Sequence, residues 1–429
     1  LCAKKRPGTL EQMPWRPGER DHRSQYESTM NSPRVEPASA PVPLRRSLTL
    51  WPLLFYGLAI IVGAGIYVAI ASVIDRAGEA APLSFLLAGI VAGLTGLCYA
   101  ELASRFPEAS GAAAYVKQGF GSDRLAQLTA LALTLAVAIA AASIASGAVH
   151  YLSKLIGLSA TALTTLMVVT FTMLAMLGVR ESAGLSAAVG VVEILGVVVA
   201  TWAGFLTAPD FNVSDMLPVN FAGWESVVAG AFIAFFAFIG FESLVNMAEE
   251  AKDPHRTIPY AIIGAIVVSA LLYVALALAV VLADREDESP LIGLFEGSYA
   301  TLFAALGSLA IANGVLVEIM MLARLFYGMA RRRQLPSFLG QVHPQTRTPI
   351  AATALAGTIV LAASLLIPFE RLLRLANTLT LGIFVVVDLA LWRIQRRQPA
   401  VEGVFVVPRW VPPIAAVSAL ALISAEFSP

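Results

Sequence analysis

The chain has 429 residues, of which 58% are hydrophobic and 14% are charged, and its formal net charge at pH 7 is zero. Soluble globular chains carry about 25% charged residues, so this composition predicts a protein of the lipid bilayer. The charge balance gives no support to nucleic-acid binding. The two cysteines, Cys2 and Cys98, form neither a disulfide framework nor a metal-binding pattern, so no cofactor or metal is expected.

Residues 1–47 differ in composition from the rest of the chain. They contain seven prolines among many charged residues and no long apolar run. Such a segment cannot bury enough surface to offset its ordering entropy, so we predict a disordered cytoplasmic tail. It is not a signal peptide, because no apolar core precedes residue 48. The chain begins with Leu1 rather than Met, so we expect part of this tail to be a fragment or a start-site artefact.

From Leu48 onward the chain repeats apolar windows of roughly 20 residues, the length that a helix needs to cross a bilayer. These windows predict eleven transmembrane spans, called span 1 to span 11 below. The predicted bounds are 48–74, 83–104, 125–153, 161–178, 185–206, 225–248, 259–283, 299–327, 350–367, 372–392 and 406–426. Span 11 is the least regular, since it contains Pro408, Pro412 and Pro413. We expect a single membrane domain over 48–429.

Lysine and arginine residues predict the orientation of the spans. They concentrate in alternate loops, from Arg45 and Arg46 through the cluster Arg331–Arg333 to the end of span 10, and the opposite loops are rich in acid. Loops with an excess of Lys and Arg remain on the cytoplasmic side of a membrane. The amino terminus is therefore predicted to be cytoplasmic, in a multi-pass protein of the cell membrane.

Span 1 contains two glycines, one residue apart, near its middle, in the run Ile61-Val62-Gly63-Ala64-Gly65-Ile66-Tyr67-Val68. An unpaired backbone group in hydrocarbon costs several kcal/mol, so a helix break at this depth requires protein or a wet cavity around it. Secondary transporters build their substrate sites from such discontinuous helices at the midplane. The alternative is that these glycines are close-packing contacts between helices, a common use of small residues in membranes.

Span 6 has a similar interruption, with Gly240 just past its middle and Glu242 two residues later. The second break comes five spans after the first, which predicts two inverted five-helix repeats, over about 48–206 and 225–392, with an extra span at 406–426. The halves share no obvious sequence identity, so this prediction depends on the matching positions of the breaks.

The predicted orientation assigns a polarity to each break. The outer half of span 1 begins near Gly65, so free N–H groups and the positive end of the helix dipole point to the centre, an arrangement suited to a carboxylate. The outer half of span 6 ends near Phe236, so free carbonyl groups point to the centre and suit an ammonium group. Together they describe a site for the two charged groups of an amino acid.

Several motifs resemble the amino acid–polyamine–organocation transporter superfamily, and within it the bacterial permeases related to cationic amino acid transporters. The most specific is Phe235 to Glu242, continued by Ala248 to Pro259. Supporting motifs are Tyr99 to Leu102, Pro107 to Tyr115, Tyr327 to Arg331 with Leu335-Pro336, and Thr348-Pro349. The resemblance covers about 48 to 397 and implies an all-α membrane protein of inverted five-helix repeats with spans 1 and 6 broken.

The resemblance also implies roles for individual residues. The substrate carboxylate would meet Gly63, Ala64, Gly65 and Ile66, and the amine would meet carbonyls of Ile61, Phe236, Ala237, Phe238 and Ile239. The ring of Phe238 is also a candidate outer gate, with ordinary packing as the alternative. The chain departs from the family in three places: Glu193 stands where relatives carry a lysine, Ala323 stands where a serine is usual, and the last helix is missing.

Two acids within the spans are candidate coupling residues. Glu193 lies about 12–14 Å into its span, near mid-membrane, where an ionisable side chain is a functional site by default. We interpret it as a proton-coupling residue or a cation ligand, sodium being the alternative ion; the other interpretation is a protonated acid bonded between helices. Glu242 is a second candidate. Glu101 and Glu318 are expected to stabilise the fold, and the charged residues from Glu249 to Arg256 form an inner gate or a solvated loop.

Three classes of function remain open on the sequence. A proton-coupled amino acid transporter is preferred, and an amine or polyamine carrier or an amino acid exchanger shares the same scaffold. The many small residues of span 3 favour a roomy pocket and neutral or broad substrates, although they equally allow tight packing. A channel is less well supported, because no filter motif appears. No nucleophile–base group indicates an enzyme, and no phosphate-binding loop indicates direct use of ATP.

Overall fold

The computed structural model describes residues 48–107, 111–177, 179–207, 221–283, 289–399 and 402–427. Within these ranges the chain is helical, and β-pairing is limited to a single bridge between Leu48 and Ala251. The predicted tail, 1–47, and the acidic loops at 208–220 and 284–288 lie outside the described residues.

Each predicted span coincides with a helix or with a broken pair of helices. The helices are Leu50–Ile61 and Ala64–Ala77 (span 1), Ala81–Arg105, Asp123–Leu152, Ala160–Leu177, Val179–Thr207, Phe221–Ala234 with its continuation to Glu250 (span 6), Pro254–Ala283, Ser298–Arg331, Ile350–Leu366, Phe369–Arg397 and Val411–Glu426 (span 11). Eight helical stretches of the described chain are long and apolar enough to cross a membrane, and three shorter apolar helices accompany them. The predicted all-α membrane fold is confirmed.

Two features of the helix map differ from the predicted one. A ten-residue helix, Gly111–Phe120, lies between spans 2 and 3; it is too short to cross a bilayer and buries Ala112, Tyr115 and Val116. Span 11 begins at Val411 rather than 406. Pro412 and Pro413 fall in its first turn, where a missing N–H costs nothing because that turn has no intrahelical acceptor.

The helices pack in two main groups. Spans 1, 2, 6 and 7 pack against one another, and spans 3, 4, 8 and 9 form a second group. Span 5 contacts spans 7 and 8, and span 10 packs against spans 3 and 11. Small residues allow close approach in the first group, for example at Gly96 of span 2, which faces the side chain of Ile266 in span 7. The two broken helices therefore lie in the same group and are packed together. The inverted repeat stays a prediction.

Candidate functional site at two broken helices

The break in span 1 occupies two residues. The first helix ends at Ile61, and its successor begins at Ala64. Val62 leaves helical geometry with φ −76° and ψ 8°. Gly63 is extended, with φ −64° and ψ −151°. The first N–H groups of a helix have no intrahelical acceptor, so the amides that follow Gly63 point to the break, and the predicted interruption is confirmed.

The break in span 6 is longer. The regular helix ends at Ala234, a 3-10 turn covers Phe235–Phe238, and Ile239 is extended before a second 3-10 segment, Phe241–Glu250. Gly240 has φ +126°, a conformation that only glycine adopts without strain. The outer helix therefore ends two residues before the predicted position near Phe236, because the chain tightens into a 3-10 turn there.

The two breaks are in direct contact. A β-carbon at Gly65 would lie 3.1 Å from the α-carbon of Ala237 and 3.2 Å from the carbonyl oxygen of Phe236. A β-carbon at Gly240 would lie 2.5 Å from Cγ2 of Ile60. Glycine at these positions is thus a close-packing contact as well as a helix break. Of the two glycines for which close packing was the alternative interpretation, Gly65 serves both purposes.

Tyr273 of span 7 joins the two breaks. Its hydroxyl oxygen lies 2.6 Å from the carbonyl oxygen of Ile61 and 3.0 Å from that of Ala237. Its side chain is fully buried. Sequence reasoning missed this residue; the only signal was a hydroxyl-bearing ring in the aliphatic run Ala270-Leu271-Leu272-Tyr273-Val274.

Asn377 of span 10 contacts the outer half of span 6. Its amide nitrogen donates to the carbonyl oxygen of Phe232 at 2.7 Å. Phe232 lies in the last turn of the outer helix, where carbonyls have no intrahelical donor. Asn377 was also missed; it is the single amide side chain within the predicted bounds of span 10, 372–392.

Phe238, the candidate gate, packs between two other spans. Its ring centroid lies 5.1 Å from that of Tyr273, in an edge-to-face arrangement. On its other side a β-carbon at Gly89 of span 2 would lie 3.2 Å from Cζ of Phe238. The ring is fully buried by these contacts, and its gating role stays a prediction.

Glu193 lies beside the break in span 1, although the sequence indicated only its depth. Its side chain is 1% exposed, and Oε1 accepts a hydrogen bond from the amide nitrogen of Asn313 at 3.4 Å. Oε2 lies 3.5 Å from the position of a β-carbon on Gly63, a point that is also 3.4 Å from the carbonyl oxygen of Ala59 and 3.3 Å from that of Ile60. Three oxygens therefore converge on one side of the break. Among the ion pairs of the described residues, none involves Glu193.

Glu242 contacts the break in span 6. Its carboxylate accepts a hydrogen bond from the backbone N–H of Gly240 at 2.9 Å, so it stabilises the start of the inner segment. A negatively charged group at a segment's amino end is stabilised by the free N–H groups there.

Two further buried acids lie away from the breaks. Glu101 of span 2 accepts hydrogen bonds from Arg105, Gln395 and the backbone N–H of Val407, each at 2.7–2.8 Å, so it has the structural role expected of it. Asp388 of span 10 accepts from the hydroxyl of Thr95 at 3.2 Å and is fully buried. Asp388 was missed, although an acid in an apolar span was a visible signal.

These observations define a class: a multi-pass membrane protein in which two interrupted helices meet inside the bundle, the architecture of secondary transporters. Residues 48–429 match the family model described as amino acid permease. The chain belongs to the amino acid permease family, within the amino acid–polyamine–organocation superfamily.

Curated relatives carry transporter names. The chain is 29% identical over 356 residues to cationic amino acid transporter 9, chloroplastic, of Arabidopsis thaliana, covering 74% of this chain and 62% of the relative. It is 28% identical over 377 residues to the vacuolar cationic amino acid transporter 4 of the same plant, covering 81% and 63%. It is 29% identical over 406 residues to the methylthioribose transporter of Bacillus subtilis (strain 168), covering 88% and 87%. The chain thus spans less than two thirds of the length of the plant relatives.

Proposed function

We propose that this protein is a secondary active transporter that binds an amino acid between the breaks of spans 1 and 6 and carries it across the cell membrane. The observation that carries the proposal is the contact of Gly65 with the backbone of Phe236 and Ala237, since it brings the two helix breaks together. The family to which the chain belongs supports the same class of function.

The polarity of the site favours a zwitterion. The amides of Gly63, Ala64, Gly65 and Ile66 begin a helix and suit a carboxylate. The carbonyls of Ile61 and of Phe236 to Ile239 end helical segments and suit an ammonium group. An amine or polyamine has no use for the first set, so an amine carrier on the same scaffold is the second candidate. The relatives named cationic amino acid transporters favour the amino acid.

A ligand screen by thermal unfolding tests the substrate class. A ligand that binds only the folded protein raises its melting temperature. We expect amino acids to do so, and their decarboxylated amines to do so less. An increase with the amines alone would indicate an amine carrier, and an increase with methylthioribose alone would indicate the substrate named for the Bacillus relative.

A pair of variants connects the screen to the site. Gly65→Ala places a methyl group against the backbone of Ala237, so the increase with amino acids should be lost. Gly93→Ala is the matched control, since a β-carbon at Gly93 has no heavy atom within 4 Å. Loss of the ligand response in both variants would argue against this site. Separately, saturable and stereoselective uptake into proteoliposomes would exclude a channel.

Glu193 is the proposed coupling residue. Its Oε2 and the carbonyl oxygens of Ala59 and Ile60 lie 3.3–3.5 Å from one point beside Gly63, the position of a β-carbon there. A carboxyl group alone can carry a proton, and a set of oxygens also suits a hard cation such as sodium. We propose the proton as the coupling ion because Glu193 supplies the one titratable group among these three oxygens. Glu242 is the second candidate for the coupling residue.

The coupling role is tested with Glu193→Gln in proteoliposomes. We expect an imposed inward proton gradient to drive accumulation in the wild type, more strongly as the external pH falls. The variant should lose gradient-driven accumulation and keep exchange of internal for external substrate. Stimulation of the wild type by a sodium gradient instead would assign the site to sodium. An unaltered pH profile in Glu193→Gln would remove Glu193 from the coupling mechanism.

A further inference from the structure

The Tyr273 hydroxyl lies between backbone carbonyls of two different broken helices. The carbonyl of Ile61 ends the first half of span 1, and the carbonyl of Ala237 lies in the 3-10 turn of span 6. In an unbroken helix each of these carbonyl oxygens would accept a hydrogen bond from the backbone N–H four residues further along the chain. The breaks remove these donors. In a membrane an unpaired carbonyl costs several kcal/mol. The Tyr273 hydroxyl provides a donor for this pair.

The geometry at the hydroxyl oxygen resembles that around an ammonium nitrogen. Two carbonyl oxygens converge on it from separate helices, at 2.6 and 3.0 Å. Nitrogen–oxygen hydrogen bonds have about the same length, 2.7–3.2 Å. The two carbonyl oxygens are thus close enough together for one ammonium nitrogen to form a hydrogen bond with each of them.

The hydroxyl leaves room for a second donor. A tyrosine hydroxyl has one proton, so it donates to one carbonyl at a time, and each carbonyl oxygen has two lone pairs. An ammonium group has three N–H donors. Tyr273 and a substrate amine can therefore share the same pair of carbonyls.

The ring of Tyr273 is held in place by aromatic contacts on two sides. Its centroid lies 6.0 Å from that of Phe85 in span 2 and 5.1 Å from that of Phe238 in span 6, both edge-to-face. The ring is fully buried, and aromatic pairs of this type add about 0.5–1.5 kcal/mol beyond burial. The hydroxyl is accordingly presented by a rigid element rather than by a mobile side chain.

From these contacts we propose that Tyr273 is a positioning residue for the amine half of the substrate site: its hydroxyl fixes the spacing of the Ile61 and Ala237 carbonyls so that both accept from one ammonium group. This inference rests on the proposed function. It assigns amine selectivity to span 7, outside the two broken helices themselves.

The test compares ligands that differ in one group. L-leucine, its 2-hydroxy acid and isoamylamine form one set, and L-arginine with agmatine forms a second. Their affinities are measured by competition binding to purified wild-type protein and to Tyr273→Phe, which keeps every carbon atom of the ring. We expect the affinities of the ammonium-bearing ligands to fall about fivefold, the size of one hydrogen bond. The affinity of the 2-hydroxy acid should change less than twofold.

Two control variants separate positioning from stability. Tyr151→Phe removes another buried hydroxyl, which donates to the carbonyl of Tyr67 at 3.1 Å, and should leave the ratio of amine to hydroxy-acid affinity unchanged. Phe85→Leu loosens the ring of Tyr273 without removing its hydroxyl, so it should shift the ratio in the same direction by a smaller factor. A ratio that changes in Tyr151→Phe as much as in Tyr273→Phe would assign the effect to the loss of any buried hydroxyl and overturn the proposal. The ratio is measured on folded protein, so lower expression of a variant does not affect it.

The remaining outcomes are also decisive. Tighter binding of ammonium-bearing ligands by Tyr273→Phe would mean that the hydroxyl competes for the carbonyls, and would overturn the positioning role. An unchanged ratio would overturn it while leaving the proposed function intact. A wild-type protein that binds neither set of ligands would overturn the proposed function, and this inference with it.

Discussion

Gly65 in span 1 faces the backbone of Ala237 in span 6, and a β-carbon at position 65 would lie 3.1 Å from the Ala237 α-carbon. This contact explains why glycine is needed at position 65, just after the break in span 1. The backbone of span 6 occupies the space that any side chain would take. Because the neighbouring atoms are backbone, they cannot rotate away as a flexible side chain would.

Gly65→Ala should therefore destabilise the protein and impair transport. Inserting a methyl group against a packed backbone costs about 1–3 kcal/mol. Gly93→Ala in span 2 is the control, because it adds the same atom where none lies within 4 Å and should stabilise its helix by up to about 1 kcal/mol. Thermal unfolding and proteoliposome uptake measure the two effects. Equal behaviour of the two variants would contradict the proposed contact.

Gly240→Ala should lower the unfolding free energy more than the same substitution at Gly403, which also has a positive φ but has open space around it. Gly240 has φ +126°, and a β-carbon there would meet Cγ2 of Ile60 at 2.5 Å. Gly403 has φ +87° with no heavy atom within 4 Å of a β-carbon. Backbone strain alone costs about 1–3 kcal/mol, so the unfolding free energies of Gly240→Ala and Gly403→Ala should differ by the cost of the collision with Ile60. Equal losses would show that strain alone accounts for Gly240.

Glu101→Gln should destabilise the protein strongly. Glu101 is fully buried, pairs with Arg105 at 2.7 Å and accepts from the N–H of Val407, which ties the segment after span 10 to span 2. Removing one partner of a buried pair costs about 3–5 kcal/mol, because the other charge stays uncompensated.

The exposed pair of Lys117 and Asp123 provides the matched control for Glu101. Its atoms are also 2.7 Å apart, but its side chains are 60% and 73% exposed. Asp123→Asn should change the unfolding free energy by less than about 1 kcal/mol, as measured by chemical denaturation. Proteolysis between 402 and 410 should increase in Glu101→Gln alone. Similar losses in both variants would rule out the role assigned to Glu101.

Asn377→Leu should weaken the outer half of span 6 and reduce uptake. It removes the donor to the Phe232 carbonyl and leaves that carbonyl unpaired, at a cost of about 1–3 kcal/mol. Thr358→Val is the control: the Thr358 hydroxyl donates at 2.8 Å to a helix-interior carbonyl, that of Ala354, which belongs to the regular helix Ile350–Leu366. Hydrogen exchange of span 6 amides should increase in Asn377→Leu and not in Thr358→Val. No change in exchange would mean that Asn377 does not support the break.

The first break could be predicted from sequence because its signal is local. Gly63 and Gly65 lie one residue apart inside an apolar window that is long enough to cross a bilayer. The position of the second break was predicted, but its 3-10 geometry was not. The 3-10 turn at Phe235–Phe238 depends on contacts with Tyr273 and with Gly65, which are distant in sequence.

The sequence by itself determined the approximate positions of the spans, the two interruptions and the presence of an acid within span 5. These follow from one length, the thickness of the hydrocarbon core, and from the cost of unpaired backbone groups within it. Only the tertiary structure decided that Glu193 lies beside Gly63, that Tyr273 joins the carbonyls of both breaks and that Asn377 supports the outer half of span 6. Such pairings depend on how separate helices are rotated and packed against one another, and hydropathy along the chain carries no information about rotation.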